Sequence, residues 1–194
     1  GDSEIRLGET NQIKDKFKVI NKFSNNSKMD YGPEIIKEWE NNLKNSLNSL
    51  KINHFDSFLI HDKNDLLKEN RDYLLDWMES LKTKSIVKRI GLSIYEKNDL
   101  DNIPLEKIDI IQLPLSIYDQ RLLKNGLIQE LSSNGIAIHV RSIFLQGLIL
   151  QDAEEWPNFI SKEFRFNHKP KFIGGILENE CSILIKDFFK AKRG

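Results

Sequence analysis

The chain has 194 residues, of which 39% are hydrophobic and 30% charged, and its 29 basic residues balance 29 acidic ones. This length and apolar content allow one domain with a real core, and zero net charge gives no support for a nucleic-acid partner. The single cysteine, Cys181, excludes an internal disulfide and fits the cytoplasm. No apolar run reaches the roughly 20 residues that span a bilayer, so we expect no membrane partner.

Short apolar runs alternate with stretches of helical periodicity along the chain. Residues 17–23 (FKVINKF) predict a first strand, and residues 33–50 predict a helix that has Pro33 in its first turn. The later strands are predicted at 57–60, 89–93, 109–113 and 136–140, and the later helices at 73–81, 97–102 and 119–132. Gly135 stands where a left-handed glycine ends the last of these helices. The pattern weakens after Leu150, where residues 181–190 predict one more amphipathic helix.

Strands with almost continuous apolar character that alternate with helices indicate a parallel sheet made of βαβ units. Two architectures have this pattern, a doubly wound sheet and a (β/α)8 TIM barrel. The first strand is not followed by a glycine-rich phosphate motif, which disfavours the doubly wound sheet. A complete barrel needs about 250 residues. We therefore predict an α/β fold, a partial barrel of five to six βα units in a single domain over residues 1–194.

In such folds the active site lies at the carboxyl ends of the strands, because the βα loops converge there. The polar residues at these positions are Lys22, Ser24, His61, Asp62, Ser93, Gln112, Arg141 and Ser142. Taken singly, each has a structural explanation, such as a helix cap, an ion pair or a hydrogen-bonded core histidine. Polar side chains at the same end of all five strands together favour a site.

Several segments at and between these strand ends resemble motifs of the aldo-keto reductase family. The matching segments are 46–50 (SLNSL) with 55–62 (FDSFLIHD), 89–93 (RIGLS), 109–114 (DIIQLP) and 141–148 (RSIFLQGL). The opening residues 1–8 (GDSEIRLG) also resemble a family motif whose tyrosine directly precedes Gly1. The matches occur in the family's order over residues 1–150.

The resemblance implies an NADPH-dependent oxidoreductase that reduces an aldehyde or ketone by hydride transfer. Lys22 matches the catalytic lysine, which lowers the pKa of the family's proton-donating tyrosine. His61 matches the histidine that orients the substrate carbonyl. The resemblance implies a small-molecule carbonyl substrate and no metal.

The resemblance also assigns the residues that would bind NADPH. Ser93 and Gln112 would hold the nicotinamide carboxamide, and Ser142 would lie by the cofactor phosphates. Arg141 would occupy the place where the family stacks an aromatic ring on the nicotinamide, and a guanidinium can also stack on a flat ring.

The sequence also departs from the family pattern. The tyrosine and its partner aspartate would lie ahead of Gly1, and Tyr31 is rejected as a substitute because it follows the lysine strand and opens a helix. Ile94 replaces a frequent asparagine, and residues 170–194 show no recognisable phosphate-binding motif. We therefore expect an inactive fragment of a reductase. The alternatives are a cofactor-binding regulatory subunit without turnover and an unrelated barrel enzyme.

Overall fold

The structure is a computed structural model, which describes residues 2–10, 17–24 and 31–150. The described residues up to 149 belong to one compact unit. The predicted helix at 181–190 lies outside the described residues, and the single domain over 1–194 stays a prediction. None of the helices within the described ranges is both long and apolar enough to cross a membrane.

Five parallel strands form one sheet, and their order in space is their order in the sequence. The strands are β1 (Ile20–Phe23), β2 (Phe55–Ile60), β3 (Val87–Ser93), β4 (Ile110–Pro114) and β5 (Ala137–Arg141). A doubly wound sheet would reverse its strand order at a switch point, whereas a barrel adds each new strand beside the last. The sequential order therefore confirms the α/β prediction and favours the barrel over the doubly wound sheet.

Helices and short turns connect the strands. The helices are α1 (Ser3–Glu9), α2 (Pro33–Leu50), α3 (Arg71–Thr83), α4 (Arg121–Lys124) and α5 (Leu127–Ser133). Single 3-10 turns lie at Lys63–Leu66, Lys97–Leu100, Leu105–Lys107 and Leu145–Leu150.

The α2 helix has the bounds that its sequence predicts. Pro33 occupies its first turn, and the helix ends where Lys51 takes a left-handed conformation with φ 54°. Its buried stripe includes Ile35, Trp39 and Leu43, which recur at helical spacing. Amphipathic periodicity and a proline at the start were thus sufficient to define this element.

Four local features differ from the sequence-based prediction. The helix predicted at 97–102 is only a 3-10 turn over Lys97–Leu100. The first strand begins at Ile20 rather than at residue 17, and Phe17 is 59% exposed. The helix predicted over 119–132 is interrupted before Leu127, because Gly126 adopts a left-handed φ of 79°. Residues 3–9, matched only as a motif, form the short helix α1, in which Gly8 packs against the backbone of Ser49 and Leu50.

The helix-facing side of the sheet holds the hydrophobic core. Phe23 and Trp77 pack against Trp39, with ring centroids of Phe23 and Trp39 5.1 Å apart, and Phe58 packs against both Phe23 and Trp77. Each of these rings is at most 6% exposed. Burial of such rings contributes several kcal/mol to stability, so this cluster anchors α2 and α3 on the sheet.

The opposite face of the sheet is much more polar. Side chains alternate along a strand, and residues paired in register share a face. The pairing places Lys22 beside Leu59, Leu59 beside Gly91, and Gly91 beside Ile110. The polar and charged residues with this parity are Lys22, Ser57, Arg89, Ser93, Gln112, His139 and Arg141. The alternation thus brings most of the predicted site residues to one face.

An ion pair lies near the amino ends of the strands. Arg89 donates to the carboxylate of Asp56, which also accepts a 3.0 Å hydrogen bond from Ser57 Oγ. Burial alone would raise the pKa of the Asp56 carboxyl, but the hydrogen bonds from Arg89 and Ser57 and the charge of Arg89 lower it. Burial and Arg89 also lower the pKa of His139, with Asp56 acting in the opposite direction.

Replacing Asp56 with asparagine is expected to destabilise the fold at neutral pH. The loss should be about 1.5–3 kcal/mol, the range for a hydrogen bond to a charged group. Because the folded pKa of Asp56 is depressed, its contribution is present above the ordinary aspartate pKa and is lost as pH falls through the folded value. Urea unfolding should therefore separate the variant from the wild type near pH 7 and much less in acid. Asp101→Asn, at an exposed carboxylate, is the control.

Candidate active site

The polar residues predicted at the strand ends converge at the carboxyl edge of the sheet. Lys22, Ser93, Gln112 and Arg141 lie on β1, β3, β4 and β5, and His61 directly follows β2. Ser93 is paired in register with Gln112, and Gln112 is paired with His139. Their roles in chemistry stay predictions, but their position at one edge follows from the parallel winding.

Lys22 on β1 and Ser93 on β3 contact each other across the intervening strand β2. Lys22 Nζ lies 3.4 Å from Ser93 Oγ, although the two residues are 71 positions apart in the chain. Ser93 is only 4% exposed, so its hydroxyl is buried beneath the surface of the candidate site. Burial, and then the positive charge of Arg141, lower the pKa of the Lys22 ammonium. Lys22 is therefore a stronger proton donor than an ordinary surface lysine.

His61 lies at the exposed rim of the same edge. Its Nδ1 is 3.2 Å from Ser24 Oγ, and its backbone N–H donates to the Phe23 carbonyl oxygen at 2.9 Å. Ser24 and His61 were both predicted from their positions at strand ends, and the structure brings them together. The hydroxyl restrains the ring and leaves Nε2 for another partner, since each ring nitrogen bonds separately.

Arg141 is held by two contacts from the loop after β3. Its Nη2 donates to the Ile94 carbonyl oxygen at 3.1 Å, and its guanidinium lies 4.1 Å from the ring centroid of Tyr95. The Nε atom is inaccessible to solvent and has no hydrogen-bond partner among the described residues. The face of Arg141 is thus stacked on Tyr95, a contact that sequence reasoning missed because Tyr95 lies in a loop without periodicity.

The same loop is fixed by one carboxylate. Asp99 accepts from the backbone N–H groups of Tyr95 at 2.7 Å and Glu96 at 3.0 Å, and it pairs with Lys63. Burial opposes ionisation of Asp99, but these hydrogen bonds and the charge of Lys63 keep its pKa lowered. The ionised form therefore persists at neutral pH and holds Tyr95 in the position where it contacts Arg141.

Ser142 follows β5 at the exposed end of the edge. Its backbone has a positive φ of 61°, which is uncommon for a residue with a side chain. The Leu145 N–H donates to the Ser142 carbonyl oxygen at 3.1 Å, so the chain turns sharply here. Gly147, also left-handed with φ 90°, lies in the same turn.

Tyr31 lies away from the candidate site. It is 4% exposed in the helix-facing core, its ring meets Trp39 edge-on at 5.0 Å, and its hydroxyl donates to Asp65 at 2.7 Å. This position agrees with its rejection as a proton donor. Across residues 2–10, 17–24 and 31–150, no group of His, Cys, Asp and Glu side chains could hold a metal ion.

Comparison with known proteins relates this arrangement to one family. The model of the aldo/keto reductase family matches residues 1–186, beyond residue 150 where the recognisable motifs end. No sequence among curated proteins matches the chain. An aldo/keto reductase from Klebsiella pneumoniae, solved in complex with NADP and acetate, has a similar fold, with a TM-score of 0.60 and 16% identity. The alignment covers 77% of this chain and 51% of that one.

An aldo-keto reductase from Bacillus halodurans in its holo form has a TM-score of 0.58 and 22% identity. The alignment covers 75% of this chain and 48% of that one. The chain thus spans about half the length of the solved reductases it matches. These likenesses confirm the prediction that the sheet is part of a (β/α)8 barrel.

Proposed function

The chain belongs to the aldo/keto reductase family, and from this we propose that it carries the lysine and the nicotinamide-binding side chains of an NADPH-dependent carbonyl reductase. The observation that carries the proposal is the contact between Lys22 Nζ and Ser93 Oγ. This contact brings Lys22, the candidate proton donor, next to Ser93, a candidate for binding the cofactor, at one edge of the sheet.

The side chains at this edge suit the carboxamide of a nicotinamide. A carboxamide needs both donors and acceptors, and the hydroxyl of Ser93 and the amide of Gln112 offer both from neighbouring strands. Ser142, in the sharp turn after β5, would bind a cofactor phosphate. Bound NADPH would supply the hydride. The protein residues would bind the cofactor, orient the substrate carbonyl and protonate its oxygen.

Lys22 would act on the charge that develops when a carbonyl is reduced. The oxygen of the carbonyl gains negative charge, which a nearby ammonium stabilises most strongly where water is excluded. The lowered pKa of Lys22, caused first by burial and then by Arg141, also favours donation of a proton into this site. Lys22 would serve either directly or through an adjacent phenol.

His61 would orient the substrate. With Nδ1 restrained by Ser24, the remaining ring nitrogen can bond a carbonyl oxygen at the rim of the edge. The imidazole of His61, directly after β2, and the ammonium of Lys22, on the adjacent strand β1, would then approach the same oxygen. This pairing of groups matches the roles that the family resemblance implies.

Titration with NADPH, followed by nucleotide fluorescence, tests the proposal. We expect saturable binding of NADPH. In contrast to the expectation of an inactive fragment, we also expect NADPH oxidation with at least one aldehyde of a panel, because Lys22 with its lowered pKa can donate a proton directly. Gln112→Leu should weaken NADPH binding by roughly fivefold to tenfold, the value of one lost hydrogen bond. Gln129→Leu, on an exposed helix position, is the matched control.

Absence of NADPH binding by the wild type would refute the proposal for this chain. Binding without turnover of any aldehyde would instead favour the cofactor-binding regulatory subunit. Equal affinities of the Gln112→Leu and Gln129→Leu variants would remove Gln112 from the site.

A further inference from the structure

Two positive charges lie at the carboxyl edge, and no carboxylate in the described part of the chain pairs with either of them. Lys22 Nζ lies 3.4 Å from Ser93 Oγ, and Arg141 Nη2 donates to the carbonyl oxygen of the next residue, Ile94, at 3.1 Å. Neither forms a salt bridge with any residue that the structure describes. Like charges at a partly buried edge repel each other, so an anion that contacts Arg141 there would be stabilised by both.

Several carboxylates in the loops that follow β2, β3 and β4 are bound by other groups. Asp99 pairs with Lys63, while Glu96 and Asp119 both pair with Arg121. Asp62 is exposed and accepts from the backbone N–H of Asn64. Among the described residues, the acidic groups near this edge are therefore used in holding loops rather than in neutralising Lys22 and Arg141.

Arg141 is positioned as an anion-binding group rather than as a mobile surface charge. Stacking on Tyr95 uses the face of the guanidinium, and the bond to the Ile94 carbonyl uses one of its five N–H groups. Because Nε is inaccessible, the edge left for in-plane bonds is that of Nη1 and Nη2, and such an edge can bind a carboxylate through two parallel bonds. Because two contacts fix the plane, little side-chain entropy is lost when an anion binds.

We propose that Arg141 binds the carboxylate of the substrate and so selects small carbonyl compounds that carry an acid group near the carbonyl, such as 2-oxo acids. This inference rests on the proposed function. The carboxylate would bond the guanidinium edge of Arg141, which leaves Lys22 and His61 for the carbonyl oxygen. The carbonyl carbon accepts a hydride and its oxygen a proton, so a 2-oxo acid becomes a 2-hydroxy acid while NADPH is oxidised to NADP⁺.

Calorimetric titration with oxamate, a 2-oxo acid analogue that is not reduced, tests the carboxylate site without the cofactor. Methyl oxamate is the neutral comparison. We expect the wild type to bind oxamate at least about tenfold more tightly than the ester, the difference made by one charge-assisted pair. Arg141→Met should abolish this preference. Arg141→Lys, which keeps the charge but not the planar fork, should keep only part of it.

Arg6→Met, which removes an exposed arginine from α1, is the matched control and should bind oxamate like the wild type. Circular dichroism of each variant shows whether its fold is retained. Equal affinities for oxamate and its ester in the wild type would overturn the inference. So would an unchanged preference in a folded Arg141→Met variant.

Turnover separates this inference from the reductase proposal itself. With NADPH, the ratio of kcat/KM for pyruvate to that for methyl pyruvate should fall at least about tenfold in Arg141→Met. Reduction of both compounds with the same ratio in wild type and variant would overturn the selection of acids while the reductase proposal stands. A variant that loses NADPH affinity but keeps the ratio would place Arg141 on the cofactor, which also overturns it. Arg141-dependent oxamate binding without any NADPH binding would support the carboxylate site and refute the reductase.

Discussion

Replacing Lys22 with methionine is expected to reduce kcat for aldehyde reduction by about 10²- to 10⁴-fold, the usual contribution of a positioned acid or base. Methionine has a similar length but no charge, so the carbonyl oxygen loses the ammonium that stabilises it. The affinity for NADPH should stay within about threefold, because Lys22 acts on the reacting oxygen and not on ground-state binding of the cofactor. NADPH oxidation and a separate fluorescence titration measure the two quantities.

A structural role for Lys22 would give a different result. The ammonium is partly buried and close to Arg141, so its removal should leave the free energy of unfolding unchanged or slightly higher. Lys88→Met makes the same change at an exposed position on β3 and should keep full activity. Full activity in the Lys22→Met variant, or loss of activity that follows a loss of stability, would contradict the proposed role.

The sequence was sufficient to predict most of the fold because its strands are almost continuous apolar runs that alternate with helical stretches. A run such as residues 109–113 has no polar alternation, and this indicates a parallel sheet whose strands each need a crossover helix. The break before Leu127 could not be predicted, because a glycine inside a helical pattern is compatible with both continuation and interruption. The exposure of Phe17 could not be predicted either, because an apolar residue next to a strand does not show where that strand begins.

The candidate site was predictable in position but not in orientation. The rule that polar residues gather at the carboxyl ends of strands placed Lys22, Ser93 and Gln112 at one edge. It could not show that Arg141 stacks on Tyr95, because this contact joins a strand end to a loop of another βα unit. The position of His139 on the polar face could have been predicted, because it lies two residues before Arg141 in the strand AIHVR and alternate residues share a face.

The β3 strand has apolar side chains on its helix-facing side and polar side chains on the other. In β3, Ile90 and Leu92 are buried among the helices, while Arg89 and Ser93 lie on the polar face. Gly91 lies between the latter two, and atoms of Ile110 and Leu59 on the neighbouring strands occupy the space that a side chain would need there. A side chain here would push against β4, on which Gln112 is aligned with Ser93, so a residue without chemistry of its own supports the site.

Replacing Gly91 with alanine is therefore expected to be strongly destabilising. A Cβ at this position would lie 2.2 Å from the Ile110 carbonyl oxygen and 2.7 Å from Leu59 Cδ2, so the backbone of β4 would have to move. Alanine in a strand interior would otherwise be favoured by about 0.5–1 kcal/mol over glycine. Overpacking costs typically 1–3 kcal/mol and more when backbone must shift, so we expect a net loss of about 3 kcal/mol. Urea unfolding monitored by tryptophan fluorescence measures it.

Gly32→Ala is the matched control for this prediction. Gly32 has extended backbone, φ −176°, and a Cβ there would meet no atom within 4 Å. The same substitution should change the free energy of unfolding by less than about 1 kcal/mol, the usual size for a surface position at a helix start. A Gly91→Ala variant as stable as Gly32→Ala would mean that β4 is not held against β3 in this register. Because Gln112 is aligned with Ser93 through that register, the same result would also remove the basis for placing the two side chains on one nicotinamide.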